Sequence, residues 1–152
     1  MKKLLSKSTT FILGVLLLVG LTNCKKDAAP SSVSELIKKT WTPQTVREGS
    51  SVVYTKGATT NVKAGYGNFV LNLSGGTSVS LTELEGTTFS GTYEVVNDNK
   101  LVLKGLNPKP TGTDGTLEYT IGSVSDANLE LTRTSASQKT GGSLNSYSLI
   151  IR

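Results

Sequence analysis

The sequence predicts an all-β domain, a small antiparallel up-and-down barrel of about eight strands with one short N-terminal helix. Three observations predict it. Apolar residues alternate with polar ones from Phe69 to the C-terminus, clusters of Gly, Asn and Asp separate the runs, and no helix-length apolar pattern follows Pro43. Alternation with a period of two sends successive side chains to opposite faces of a strand, so each run has one face for a core and one for water.

The elements follow in order. Ser32 and Glu35 have the spacing of a capping box, and Val33, Leu36, Ile37 and Trp41 fall on one face of a helix of about two turns, which Pro43 stops. Strands are expected over 41–48 and 51–55, followed by a Thr/Gly-rich surface loop, Thr55 to Gly67. Phe69, Leu71 and Leu73 alternate before the turn Ser74-Gly75-Gly76-Thr77; Val79 and Leu81 alternate before Glu85-Gly86. Phe89, Gly91, Tyr93 and Val95 lead to Asn97-Asp98-Asn99, a sequence suited to left-handed turn conformations, and Leu101 and Leu103 come next. A loop over Asn107 to Gly115 precedes Leu117, Tyr119 and Ile121; Leu129 and Leu131, then Tyr147, Leu149 and Ile151, close the chain. Such a meander either closes into a barrel or splits into a sandwich. Closure is the expectation, because it removes exposed strand edges.

The first 23 residues read as an export signal. Lys2, Lys3 and Lys7 are followed by an apolar core, Phe11 to Thr22, whose length of about 18 Å as a helix is too short for a hydrocarbon layer of about 30 Å. Directly after it, Leu21-Thr22-Asn23-Cys24 contains the only cysteine of the chain. LTNC resembles the lipobox of bacterial lipoproteins, and the resemblance implies cleavage before Cys24 and diacylglyceryl transfer to its thiol. A free thiol on a polar tail would be a liability in an oxidising compartment, whereas two or three acyl chains hold a protein durably on a bilayer. Residues 24–31 then form a tether, and 32–152 the folded domain. Lys25, where enteric inner-membrane lipoproteins carry Asp, implies the outer membrane by the same resemblance. Loss of residues 1–23 removes three lysines and no acid, so the net charge falls from +5 to +2 and gives no footing for a nucleic-acid partner.

The motifs SELIKK, KKTWTPQTV, SGTYEVVNDNKLVLKG and LEYTIGSVSDANLELTR together resemble the lipocalin-like lipoproteins of Gram-negative bacteria, over about residues 32–152. The resemblance implies a small calyx with affinity for an apolar or amphipathic molecule. Its interior candidates are Trp41, Phe69, Phe89, Tyr93, Tyr119 and Tyr147, although a Trp at the base of a small barrel serves the core more often than a ligand. An eight-stranded barrel is just wide enough to be filled by side chains or to hold one small ligand, and this apolar set is large enough to leave only a narrow cavity.

Catalysis finds little support. The chain has no histidine, so Ser-His-Asp and Cys-His machinery are excluded, as are zinc sites of His and Cys. No cofactor is implied. Glu83 and Glu85, two apart on one strand face, are read as solvated rather than as an acid–base pair, and Asp98 as turn chemistry rather than a calcium ligand. The expectation is a membrane-anchored, non-enzymatic binding module; the alternative is a packed, ligand-free accessory domain acting through its loops and outer surface.

Overall fold

The computed structural model describes residues 31–152; the export signal, Cys24 and most of the tether lie outside the described residues. Helix α1 (Val33–Leu36) is a single turn. The Ser32 hydroxyl caps it by accepting from the Glu35 amide at 3.3 Å. The Glu35 carboxylate does not complete a capping box; it pairs with Lys38 instead.

Nine strands follow: β1 (Thr40–Glu48), β2 (Ser51–Thr55), β3 (Val70–Gly75), β4 (Ser78–Thr82), β5 (Thr88–Val96), β6 (Lys100–Asn107), β7 (Leu117–Val124), β8 (Asn128–Arg133) and β9 (Asn145–Ile151). All pairings are antiparallel. Strands β3 to β9 pair in sequence order, and β9 pairs back along β1 from Trp41↔Ile151 to Glu48↔Asn145. The ring is shut on the other side by β1 and β3, through Thr40↔Asn72 and Trp41↔Leu71. The result is a closed eight-stranded barrel, with β2 as a flap on the upper half of β1 (Thr45↔Thr55 to Glu48↔Ser51). Pro43, which lacks an amide hydrogen, sits within β1 where its register against β9 slips, one of the few places a strand tolerates it.

The two ends of the barrel differ. At one end lie α1 and the short connections β3–β4, β5–β6 and β7–β8. In the β5–β6 turn both Asn97 (φ 51°) and Asp98 (φ 55°) take left-handed conformations, as that sequence leads one to expect. At the other end lie the longer loops and two 3₁₀ turns, Ala64–Asn68 and Gln138–Thr140. We call these the plug end and the loop end.

The alternating residues of the sequence fill the interior. From Phe69 to Leu149 nearly all are buried, the half-buried Val95 aside; Ile151, expected inside, is exposed at the last strand residue. Ile37 and Trp41 are fully buried at the plug end, and the indole N–H donates to the Ile37 carbonyl at 2.9 Å. That bond gives the buried indole N–H its partner in a dry environment, where an unpaired donor would be costly, and the same carbonyl also accepts from the Lys39 amide at 2.7 Å.

Two departures from simple alternation have local causes. Val102 points away from the core cluster yet is buried. Its cross-strand partners are Glu94 and Glu118, whose ion pairs with Lys104 and Lys100 spread aliphatic stems across the outer face. Leu106 is buried three residues after Leu103 because β6 carries a bulge at Gly105 (φ 60°), which shifts the inward parity by one. Opposite the bulge, a Cβ on Gly91 would lie 2.4 Å from the Lys104 carbonyl oxygen. Backbone cannot retreat from that contact as a side chain would. Gly91→Ala should therefore cost about 1–3 kcal/mol, read from the denaturant midpoint. Gly122→Ala, where the new Cβ meets Glu130 Cβ at 3.4 Å, is the tolerant control.

Candidate functional site

Aromatic and polar side chains meet at the loop end. The inward positions of β7, β8 and β9 near this end include Tyr119, Arg133, Tyr147 and Asn145, the first two being cross-strand partners. Phe69 stacks on Tyr147 with ring centres 4.9 Å apart, and Tyr119 and Tyr66 approach Tyr147 edge-on at 6.1 and 6.4 Å. Such offset and edge-to-face contacts order the cluster beyond its area burial.

Above the rings runs a hydrogen-bonded polar layer. Tyr66 donates its hydroxyl proton to Glu48 at 2.7 Å, and Glu48 also holds Lys63 at 2.7 Å. Asn145, 2% exposed, donates through Nδ2 to the Tyr66 and Tyr147 hydroxyls, each at 3.4 Å. Its Oδ1 accepts from Thr140 and Ser143, both at 3.0 Å, so one buried amide ties the β8–β9 loop to the barrel. Burial pushes the Tyr147 hydroxyl up to about 12 and raises Tyr119 and Tyr66 well above the ordinary phenol range. All three therefore keep their protons at neutral pH.

The β8–β9 loop closes over this layer through Lys139, which binds Glu83 at 2.9 Å and Glu85 at 2.5 Å and lies 5.7 Å from the centre of the Phe89 ring. Burial on its own lowers the ammonium pKa, but the bonds to Glu85 and Glu83 outweigh it and leave Lys139 above its usual value. The sequence expectation for Glu83 is corrected here. It is not on a solvated strand face: β4 ends at Thr82, and the Glu83 side chain turns in to 12% exposure at the barrel mouth. A single cation between the two carboxylates drives the turn, since neither charge then enters a drier region uncompensated.

Beneath Lys139 is a cleft lined by Tyr66, Phe69, Glu83, Arg133, Lys139 and Tyr147, among others, with about 10 Å³ of free space. That is room for about one water. Larger hollows, of about 320 and 440 Å³, lie outside the barrel wall, the former against β3, β4 and β5 and the latter beside Thr42, Val70 and Thr82. Both are open to solvent.

The six interior candidates read from sequence are all buried, at 7% exposure or less, but they do not form one pocket. Trp41 and Tyr93 are at the plug end, where Tyr93 donates to the Leu73 carbonyl at 3.0 Å. Phe69, Phe89, Tyr119 and Tyr147 are at the loop end, and of these Phe69 and Tyr147 line the cleft. Sequence reasoning missed Tyr66, Asn145, Lys139 and Arg133. For Arg133 the signal was present: it continues the inward parity of Leu129 and Leu131.

No family model matches the chain, and no curated protein matches it. A solved structure described as a lipocalin-like protein from Bacteroides uniformis ATCC 8492 is similar, with a TM-score of 0.46 and 15% identity. The likeness covers 77% of this chain and 99% of that one.

Proposed function

We propose that this chain is a lipid-anchored protein of the outer membrane whose barrel binds the head of a small amphipathic molecule at its loop end, without catalysis. The anchor rests on the sequence: the Lys-rich start, the short apolar core and Cys24 at its end. Binding rests on one observation, a cleft where ordered aromatic rings meet a layer of protonated hydroxyls and charged groups beneath the β8–β9 loop. Few convergent polar groups over an apolar floor are what fix the orientation of a small ligand. The absence of histidine from the sequence, and the engagement of Glu83 and Glu85 by Lys139, speak for binding rather than turnover.

A ligand-free accessory role is the second reading, and one observation favours it: the interior has room for about one water rather than the 300 Å³ or more of an ordinary ligand site. In that case the outer surface and the loops Thr55 to Gly67 and Lys109 to Gly115 would do the work. Native mass spectrometry of the full chain, gently extracted from its host membrane, separates the two. A small molecule retained at unit stoichiometry is expected; a clean ligand-free mass would transfer the case to the accessory role.

A further inference from the structure

The lysine that lines the loop-end cleft has its anions, Lys139 with Glu83 and Glu85, and Lys63 in the polar layer beside it has Glu48. Arg133 does not. It is 6% exposed and lines the cleft, its Nε is buried without a hydrogen-bond partner, and none of the ion pairs among the described residues includes it. Buried guanidinium groups are ordinarily paired, because removing the charge from water is expensive and only an anion with good hydrogen bonds offsets it. A barrel that needed only to be filled would have an apolar residue here, as β8 does at Leu129 and Leu131.

We propose that Arg133 is the anion-recognising group of this cleft, and that it takes the carboxylate of a small amphipathic molecule. This rests on the binding role proposed above and specifies its ligand. A guanidinium fork matches the two oxygens of a carboxylate, so a bidentate pair would satisfy the Nε that is otherwise orphaned. The Tyr147 hydroxyl accepts from Asn145, which leaves its own retained proton to give to the same anion. The stacked Phe69 and Tyr147 rings offer an apolar surface to the first carbons of a tail. Carboxylate is favoured over phosphate for two reasons. The cleft is small, and Glu83 on its wall repels a doubly charged group more strongly than a singly charged one. Entry requires Lys139 to let go of Glu83 and the β8–β9 loop to lift, since the closed cleft has about 10 Å³.

The chain has three arginines, Arg47, Arg133 and Arg152, so side-chain Nε–Hε NMR of the full chain in a non-ionic detergent gives a small, assignable set of signals. Titration with hexanoate is expected to move the Arg133 signal saturably while Arg47 and Arg152 stay in place. Arg133→Lys, which keeps the charge but not the fork, should weaken hexanoate at least about tenfold, followed there by backbone amide shifts of Thr134 and Tyr147. Arg133→Met should abolish it. Hexanamide, of the same length and uncharged, should leave the Arg133 signal unmoved. Equal binding of hexanamide and hexanoate would overturn the anion assignment and leave the binding role intact. A response to inorganic phosphate with hexanoate inert would overturn the carboxylate. Silence to every probe in a folded spectrum would overturn the site itself, whereas the binding role stands or falls on the mass measurement.

Discussion

Trp41→Ala should cost about 3–5 kcal/mol, a large part of the 5–15 kcal/mol that holds an ordinary domain together. Trp41 is fully buried and sits where the ring of strands is most thinly joined. The β1–β3 seam has two register pairs, and Trp41↔Leu71 is one of them. On its other side the same residue pairs with Ile151, and its indole holds the Ile37 carbonyl of the plug. Truncation thus removes the largest interior side chain and the indole bond to Ile37, whose carbonyl keeps only the Lys39 amide as donor, and so loosens both the seam and α1. Trp41→Phe separates these effects. It keeps most of the apolar contact and loses the hydrogen bond, so it should cost about 1–3 kcal/mol. Denaturant unfolding measures both, and a cost below about 1 kcal/mol for Trp41→Ala would mean that the seam is held by something else.

Cys24→Ser should release the protein from membranes. Each buried methylene contributes about 0.8 kcal/mol, so two or three acyl chains make attachment durable and their loss makes it negligible. On the proposed reading the apolar core Phe11 to Thr22 would not substitute, because as a helix it would span about 18 Å of a layer of about 30 Å. The Lys25-Lys26 pair adds only about 1 kcal/mol per charge at an anionic surface. Fractionation of cells carrying either form is the measurement, with the mass of the N-terminal peptide as its companion. Undiminished membrane retention of the serine form would count against acylation.

The barrel was legible because its signal is redundant. Phe69, Leu71, Leu73, Val79, Leu81, Leu117, Tyr119, Leu129 and Leu149 each repeat the same inward parity, and any one could be misread without loss of the pattern. The site was less legible, for physical reasons that differ by residue. Leu106 follows a bulge that resets parity at Gly105. Tyr66 lies in a 3₁₀ turn inside what reads as a Thr/Gly loop, and nothing in the local sequence says that the turn folds back over the barrel mouth. The inward turn of Glu83 depends on Lys139, 56 residues away, a contact with no period to betray it. Arg133 was within reach, since its parity was plain; a charge at an inward position invites the assumption that the strand has ended.

The placement of α1 also gives the molecule a heading. The chain enters the body beside Trp41, and six residues lie between Cys24 and Ser31, a reach of about 25 Å at full stretch. With the proposed fatty anchor on Cys24, the plugged pole would lie nearest the leaflet and Arg133 at the distal pole, a barrel's height further out. Cargo would dock from the surrounding fluid, delivered by a soluble donor, rather than slide sideways out of the bilayer on which the protein stands.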